Sequence, residues 1–132
     1  MPTLDGVRVL TVDDDADALT LGRDILEAAG AEVTGCDSAT RALEEIQAVR
    51  PDVLIADIGL PRVDGYELIK RIRQLPDARL RNIPAAALTA YARAEDRATA
   101  LGAGYQLYLT KPVEPTELRA AIARLTQLSR SA

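Results

Sequence analysis

No histidine occurs among the 132 residues of this chain. That absence removes imidazole general-base mechanisms and every Ser-His-Asp or Cys-His arrangement. A single cysteine, Cys36, cannot make an internal disulfide, and without histidine or a second cysteine a zinc site lacks its preferred ligands. Cys36 is expected to be a buried strand residue. No long apolar run is present, which excludes a transmembrane helix, and the polar, acidic N-terminus has neither the basic start nor the apolar centre of a signal peptide. A cytoplasmic location without membrane association is expected. A basic stripe is missing too: the formal net charge is −4, with both signs interspersed, so no direct nucleic-acid binding is expected. The chain also lacks low-complexity tracts, internal linkers and any repeat beyond the rhythm described next.

What remains is ordinary globular material, 48% hydrophobic, enough for one domain with a real core. Strand-like runs at about 7–12, 32–36, 53–56, 83–88 and 105–109 alternate with helical patterns at about 15–29, 39–49, 65–75, 94–103 and 115–128. The helical segments carry apolar stripes such as Leu43, Ile46 and Val49, or Leu68, Ile69 and Ile72, or Leu118, Ala121, Ile122 and Leu125. The segment 94–103 offers only Ala94, Ala98 and Leu101, so it is expected to be weakly anchored. Ser38 and Asp64 are candidate N-caps, Pro115 suits a first helical turn, and Gly30, Gly102 and Gly104 stand where helices should stop. The ends, Met1 to Gly6 and Ser129 to Ala132, read as loose, leaving a core of about 6–128 within a single domain, 1–132.

Val9 to Val12, Val53 to Ala56 and Ala85 to Leu88 are almost continuously apolar, as buried parallel strands are. Glu32 to Cys36 and Tyr105 to Leu109 mix polar with apolar residues and read as edges. The expected fold is therefore α/β, a flavodoxin-like (βα)5 three-layer sandwich with a parallel sheet of order 2-1-3-4-5. Such sheets bind ligands outside the carboxyl ends of the strands where the chain order reverses, here between strands 1 and 3. Asp13, Asp14 and Asp57 end those strands, while Thr89 and Lys111 follow the fourth and fifth. Each alone reads as a turn residue, a helix cap or a solvated lysine; together at one sheet edge they suit a divalent cation and a phosphoryl group. Magnesium favours six oxygen ligands, and a carboxylate can attack an activated phosphoryl group. Asp15, next in the acidic run, is expected only to favour the first turn of the following helix.

Val12-Asp13-Asp14, Asp57-Ile58-Gly59-Leu60-Pro61 with Asp64-Gly65, Leu88-Thr89-Ala90 and Lys111-Pro112 resemble, in order and over nearly the whole chain, the signature segments of response-regulator receiver domains of two-component signalling. The resemblance implies that Asp57 accepts the phosphoryl group and that Asp14 and Asp57 bind Mg2+, or Mn2+ in its place. It further implies that Asp13 supports the metal, usually through water, and that the Gly59 carbonyl is a backbone ligand. Thr89 and Lys111 would grip the phosphoryl oxygens, Tyr108 would be the switch aromatic, Gly59 and Tyr91 would modulate hydrolysis, and Lys111-Pro112 would be a cis peptide. Val63 stands where Met is common and Val113 where Phe is common; both changes are apolar.

By the same resemblance the partner is a histidine kinase or a histidine phosphotransfer protein, which supplies the phosphohistidine that this chain cannot. The implied output is a changed face formed by the fourth helix, fifth strand and fifth helix, on a monomer or a weak dimer through that face. No output domain is expected after the fifth helix, and the signal is expected to leave through protein contacts. The chain is not a conventional enzyme but would catalyse its own phosphorylation and dephosphorylation. Its lead-in and its Lys111-Pro112-Val113-Glu114-Pro115 stretch are similar to receivers at the C-terminus of hybrid histidine kinases, and single-domain receivers are nearly as similar. The alternative is a phosphatase of the haloacid-dehalogenase type, which also uses an aspartyl phosphate; there the nucleophile follows strand 1, and this chain leaves little room for a cap domain. A flavodoxin-like electron carrier would need a Gly-rich phosphate loop after strand 1, and a calcium loop from Asp13 would need Gly where Ala18 stands.

Overall fold

Valine, leucine, isoleucine and alanine runs form the three central strands in the computed structural model, which describes residues 3–90 and 93–131. The elements are β1 (Arg8–Val12), α1 (Ala16–Ala28), β2 (Glu32–Cys36), α2 (Ala39–Val49), β3 (Val53–Asp57), α3 (Gly65–Ile72), α4 (Ala78–Arg81), β4 (Ala85–Thr89), α5 (Ala94–Ala103), β5 (Leu107–Thr110) and α6 (Pro115–Ser131). All neighbouring strands are parallel, in the order β2-β1-β3-β4-β5. This is the flavodoxin-like, doubly wound (βα)5 architecture that the pattern of strands predicts. None of the described helices is long and apolar enough to cross a membrane.

Strand side chains alternate between two faces. Leu10, Val12, Leu54, Ala56, Ala85 and Ala87 pack with α2, α3 and α5, whereas Val9, Val53, Ile55 and Ala86 pack with α1 and α6. The predicted stripes of α3 and α6 are buried as expected, from Leu68, Ile69 and Ile72 to Leu118, Ala121, Ile122 and Leu125. Ser38 and Asp64 cap α2 and α3 by accepting from Arg41 N at 3.2 Å and Glu67 N at 2.9 Å. Asp15 does more than favour a first turn: its carboxylate caps α1, accepting from Asp17 N at 2.9 Å. Cys36 is buried at the end of β2, and burial pushes its thiol up to about 11.

Four expectations need correction. Leu4 is only 1% exposed and its N–H donates to the Ala29 carbonyl at 2.8 Å, so the lead-in is packed and the core begins at residue 4. A four-residue helix, α4, precedes β4; it is too short for the 3.6-residue period to register in the sequence. The fourth predicted helix is accordingly α5 and the fifth is α6. Gly102 lies inside α5, and the stop is Gly104, whose φ of +131° lies in the region that favours glycine. Finally, Ala94, Ala98 and Leu101 point outward, and α5 is held by Ala100. In an alanine-rich helix two stripes compete, and the larger Leu101 marks the wrong one.

Candidate functional site

β1 and β3 are adjacent and in register, so the residues that end them meet at one edge. Asp13 follows β1, is 2% exposed, and is held by its own N–H donating to the Cys36 carbonyl at 3.0 Å. Its Oδ1 accepts from Asp15 N at 3.0 Å, which orients the carboxylate. Asp14 is exposed beside it. Asp57 closes β3, half-buried, with Oδ1 accepting from Gly59 N at 2.8 Å. Thr89, buried, ends β4 one register step beyond the pair Asp57 and Leu88. Lys111 follows β5, and its backbone N–H donates to the Thr89 carbonyl at 2.7 Å.

The ammonium of Lys111 bridges the two strand ends. Its Nζ donates to Asp13 Oδ2 at 2.8 Å and to Asp57 Oδ2 at 2.7 Å. Burial pushes the Asp13 carboxyl above its ordinary range, and the Lys111 and Asp15 hydrogen bonds pull it only part of the way back. Burial pulls Lys111 down, but hydrogen bonds and charge from Asp13 and Asp57 more than offset this and hold the ammonium above its ordinary value. The balance differs at the two groups: two anions outweigh burial at Lys111, whereas at the more deeply buried Asp13 one shared cation does not. Three carboxylates against one ammonium leave two negative charges uncompensated at the edge.

One ligand oxygen from each of Asp13, Asp14 and Asp57 lies within 4.8 Å of the others. Octahedral magnesium at about 2.0–2.1 Å from its ligands spans oxygens up to about 4.2 Å apart, so small side-chain movements would close the set around a divalent ion. The donor set is all oxygen, which suits magnesium or manganese. Gly59 is exposed beside Asp57. Lys111-Pro112 is cis, as the motif implies. Tyr108 is half-buried against the core on β5, across from Ala87. Tyr91 lies outside the described residues. Beside Lys111 a cleft of about 380 Å³ opens between α1 and α6, lined by Ala18, Leu21, Ile25, Pro112, Val113 and Leu118.

Two supports escape the sequence pattern. Tyr105, read as an edge-strand residue, lies before β5 in the core and donates from its hydroxyl to the Gly65 carbonyl at 2.7 Å. Arg73 caps the C-terminal end of α3 and turns its guanidinium towards carbonyl oxygens. Their one visible signal is a large polar side chain beside a helix-terminating position.

Comparisons with known proteins agree with this geometry. The family model for the response regulator receiver domain matches residues 9–123. A 14.6 kDa protein encoded in the sodA1 3' region of Leptolyngbya boryana is 48% identical over 89% of this chain and 88% of its own length. The sensor histidine kinase GacS of Pseudomonas protegens is 36% identical over 92% of this chain, which corresponds to only 13% of that protein. Among solved structures, the signal receiver domain of a signal transduction histidine kinase from Syntrophus aciditrophicus is 28% identical, covers 96% of this chain and 95% of its own, and superposes with a TM-score of 0.86. With the family match spanning both strands that carry the acidic pair and Asp57, and Lys111 as well, the chain belongs to the response regulator receiver domain family.

Proposed function

We propose that this receiver takes a phosphoryl group from a partner's phosphohistidine onto Asp57 and signals through the α5, β5 and α6 face, or hands the group on to a histidine phosphotransfer protein. The observation that carries the reading is the double grip of Lys111 on Asp13 and Asp57 at 2.8 and 2.7 Å. It holds the Asp57 carboxylate where an incoming phosphorus would meet an ammonium already in place. A carboxylate oxygen of Asp57 forms the new P–O bond as the P–N bond to the partner's imidazole breaks and the electron pair leaves with that nitrogen. Asp13, Asp14, Asp57 and the Gly59 carbonyl would hold Mg2+ or Mn2+, which when bound supplies charge neutralisation for the carboxylates and phosphoryl oxygens.

Lys111 and the Thr89 hydroxyl would then turn to the phosphoryl oxygens. Positioning and electrostatics supply the catalysis, since a carboxylate nucleophile carries no proton for a general base to remove. The added charge of about −1.5 to −2 draws both residues away from their resting partners. Movement of Thr89 at the end of β4 shifts α5, and Tyr108 settles inward. The apolar cleft between α1 and α6, with Leu21 61% exposed at its rim, lies beside Lys111 and suits a helical partner that brings its phosphohistidine to the edge. The working location is the cytoplasm, where such kinases present their phosphohistidines.

The test is intact mass after acetyl phosphate and magnesium treatment. Gain of one phosphoryl group by the native chain, lost in Asp57→Asn, supports the reading. Labelling of Asp57→Asn but not Asp13→Asn would transfer the nucleophile to Asp13 and favour a phosphatase of the haloacid-dehalogenase type.

A further inference from the structure

Behind the carboxylates, one buried hydroxyl reaches the backbone that carries Asp57. Tyr105 is 3% exposed and donates to the Gly65 carbonyl at 2.7 Å, across forty residues of sequence. Burial pushes its phenol far above the ordinary tyrosine range, so it remains a neutral donor under working conditions. Gly65 is pressed against the segment that leaves β3. A β-carbon there would lie 2.7 Å from both the Asp57 carbonyl oxygen and Ile58 Cα. Its N–H donates to the Ile58 carbonyl at 3.0 Å, and Ile58 N in turn donates to the Leu88 carbonyl at 2.9 Å. The loop from Asp57 to Gly65 is therefore closed at its base, and Tyr105 holds the closing residue.

The corner on which Tyr105 stands is itself fixed. Arg73 donates to the Gly104 carbonyl at 2.6 and 3.2 Å, to Arg81 and Ile83 carbonyls at 3.0 and 2.6 Å, and to Gln106 Oε1 at 3.4 Å. Gln106 Oε1 also accepts from Ala85 N at 2.7 Å. One guanidinium thus joins the end of α3, the approach to β4 and the turn after α5, all through neutral oxygens. A planar fork with several fixed donors can do this; a point-like ammonium cannot.

We propose that Tyr105 is a positioning residue for the phosphoacceptor loop. Its hydroxyl, carried on a corner locked by Arg73, holds Gly65 and through it the backbone from Asp57 to Gly59. The Asp57 carboxylate and the Gly59 carbonyl are thereby presented in register with Asp13, Asp14 and Lys111. The consequence for phosphoryl transfer rests on the reading of Asp57 as phosphoacceptor; the linkage to the loop does not.

Tyr105→Phe keeps the ring and deletes only the hydroxyl, so the fold survives. In metal-free protein, amide hydrogen exchange by NMR is expected to quicken on the order of tenfold at Gly59 and Gly65, the loss of about one hydrogen bond's worth of local protection. Leu10 and Leu54, in the central strands, should exchange as in the native chain. The magnesium concentration giving half-maximal phosphoryl uptake from acetyl phosphate should rise severalfold. Arg73→Lys should reproduce the local exchange pattern and extend it to Gln106. Unchanged exchange at Gly59 and Gly65, or acceleration there no greater than at Leu10 and Leu54, would overturn the proposal. Absence of uptake by the native chain would overturn the phosphoacceptor reading instead, with the exchange data still deciding the linkage.

Discussion

A β-carbon at Gly65 would meet the Asp57 carbonyl oxygen and Ile58 Cα at 2.7 Å, and neither is the end of a flexible side chain that could retreat. Gly65→Ala is expected to destabilise the fold by about 1–3 kcal/mol through overpacking, measured by urea denaturation. The same contact explains why this position follows Asp64, the N-cap of α3, so closely: the helix starts against the floor of the site. Lys111 is the other residue whose removal is felt at once. Lys111→Met leaves buried Asp13 beside Asp57 without its cation, and a loss of about 1–3 kcal/mol is expected. Magnesium should recover part of it, as a larger rise in Tm than the native chain shows. Asp13, Asp57, Thr89 and Lys111 were legible in sequence because each directly follows or ends an apolar run, and parallel strands bring such positions to one edge. Tyr105 and Arg73 were not legible, because their partners are backbone oxygens that no residue type advertises.

Among the elements, α5 shows most clearly how the sequence can mislead. Leu101 is 42% exposed whereas Ala100 is fully buried. Leu101→Ala should therefore change stability by less than about 0.5 kcal/mol, and Ala100→Leu should cost about 1–3 kcal/mol, both read from chemical denaturation. The reverse ranking would restore the stripe that the sequence suggests. The strands were easier to read, since almost continuously apolar runs of four residues leave little choice, but their ends were less certain: β5 starts at Leu107 because Tyr105 N still donates to the Ala100 carbonyl at 3.2 Å and the Gln106 side chain takes Ala85 N. Helix α4 depends on charge as well as packing. Arg50, with φ of +51° at the end of α2, donates to Asp77 Oδ2 at 2.6 Å, and Asp77 caps α4. The Arg50 hydrogen bond, with help from backbone N–H groups, holds the Asp77 carboxyl below its ordinary 3.8. A carboxyl depressed in the folded state stabilises above its unfolded pKa and loses that contribution as pH falls through the folded value. The stability advantage of the native chain over Asp77→Asn, which retains a capping side chain, should be present at neutral pH and fade as pH falls below 3.8 towards the depressed folded value.

At the scale of the whole molecule, the sheet separates two apolar layers that meet only through the strands. Tyr66, Tyr105 and Tyr108 all belong to the layer of α2, α3 and α5, whereas Leu4, Val7 and Leu26 belong to the layer of α1 and α6. This asymmetry supplies a test of cooperativity. The strand residues alternate sides, so Leu54 and Ile55 are buried in different layers although they are neighbours in one strand. Neither layer can melt without exposing half of β1, β3 and β4, and small domains with such shared strands unfold as one unit. Leu4→Ala should cost about 2–5 kcal/mol, because its side chain is buried and its removal leaves a cavity in the α1 and α6 layer. In a Tyr91→Phe background the fluorescence of the other three tyrosines, Tyr66, Tyr105 and Tyr108, reports the opposite layer, and far-ultraviolet circular dichroism reports all helices. In urea, both midpoints are expected to fall together in Leu4→Ala. A fall confined to the dichroism signal would mean that the two layers unfold separately. The proposed switch at α5 would then be a property of one layer alone, not of the domain.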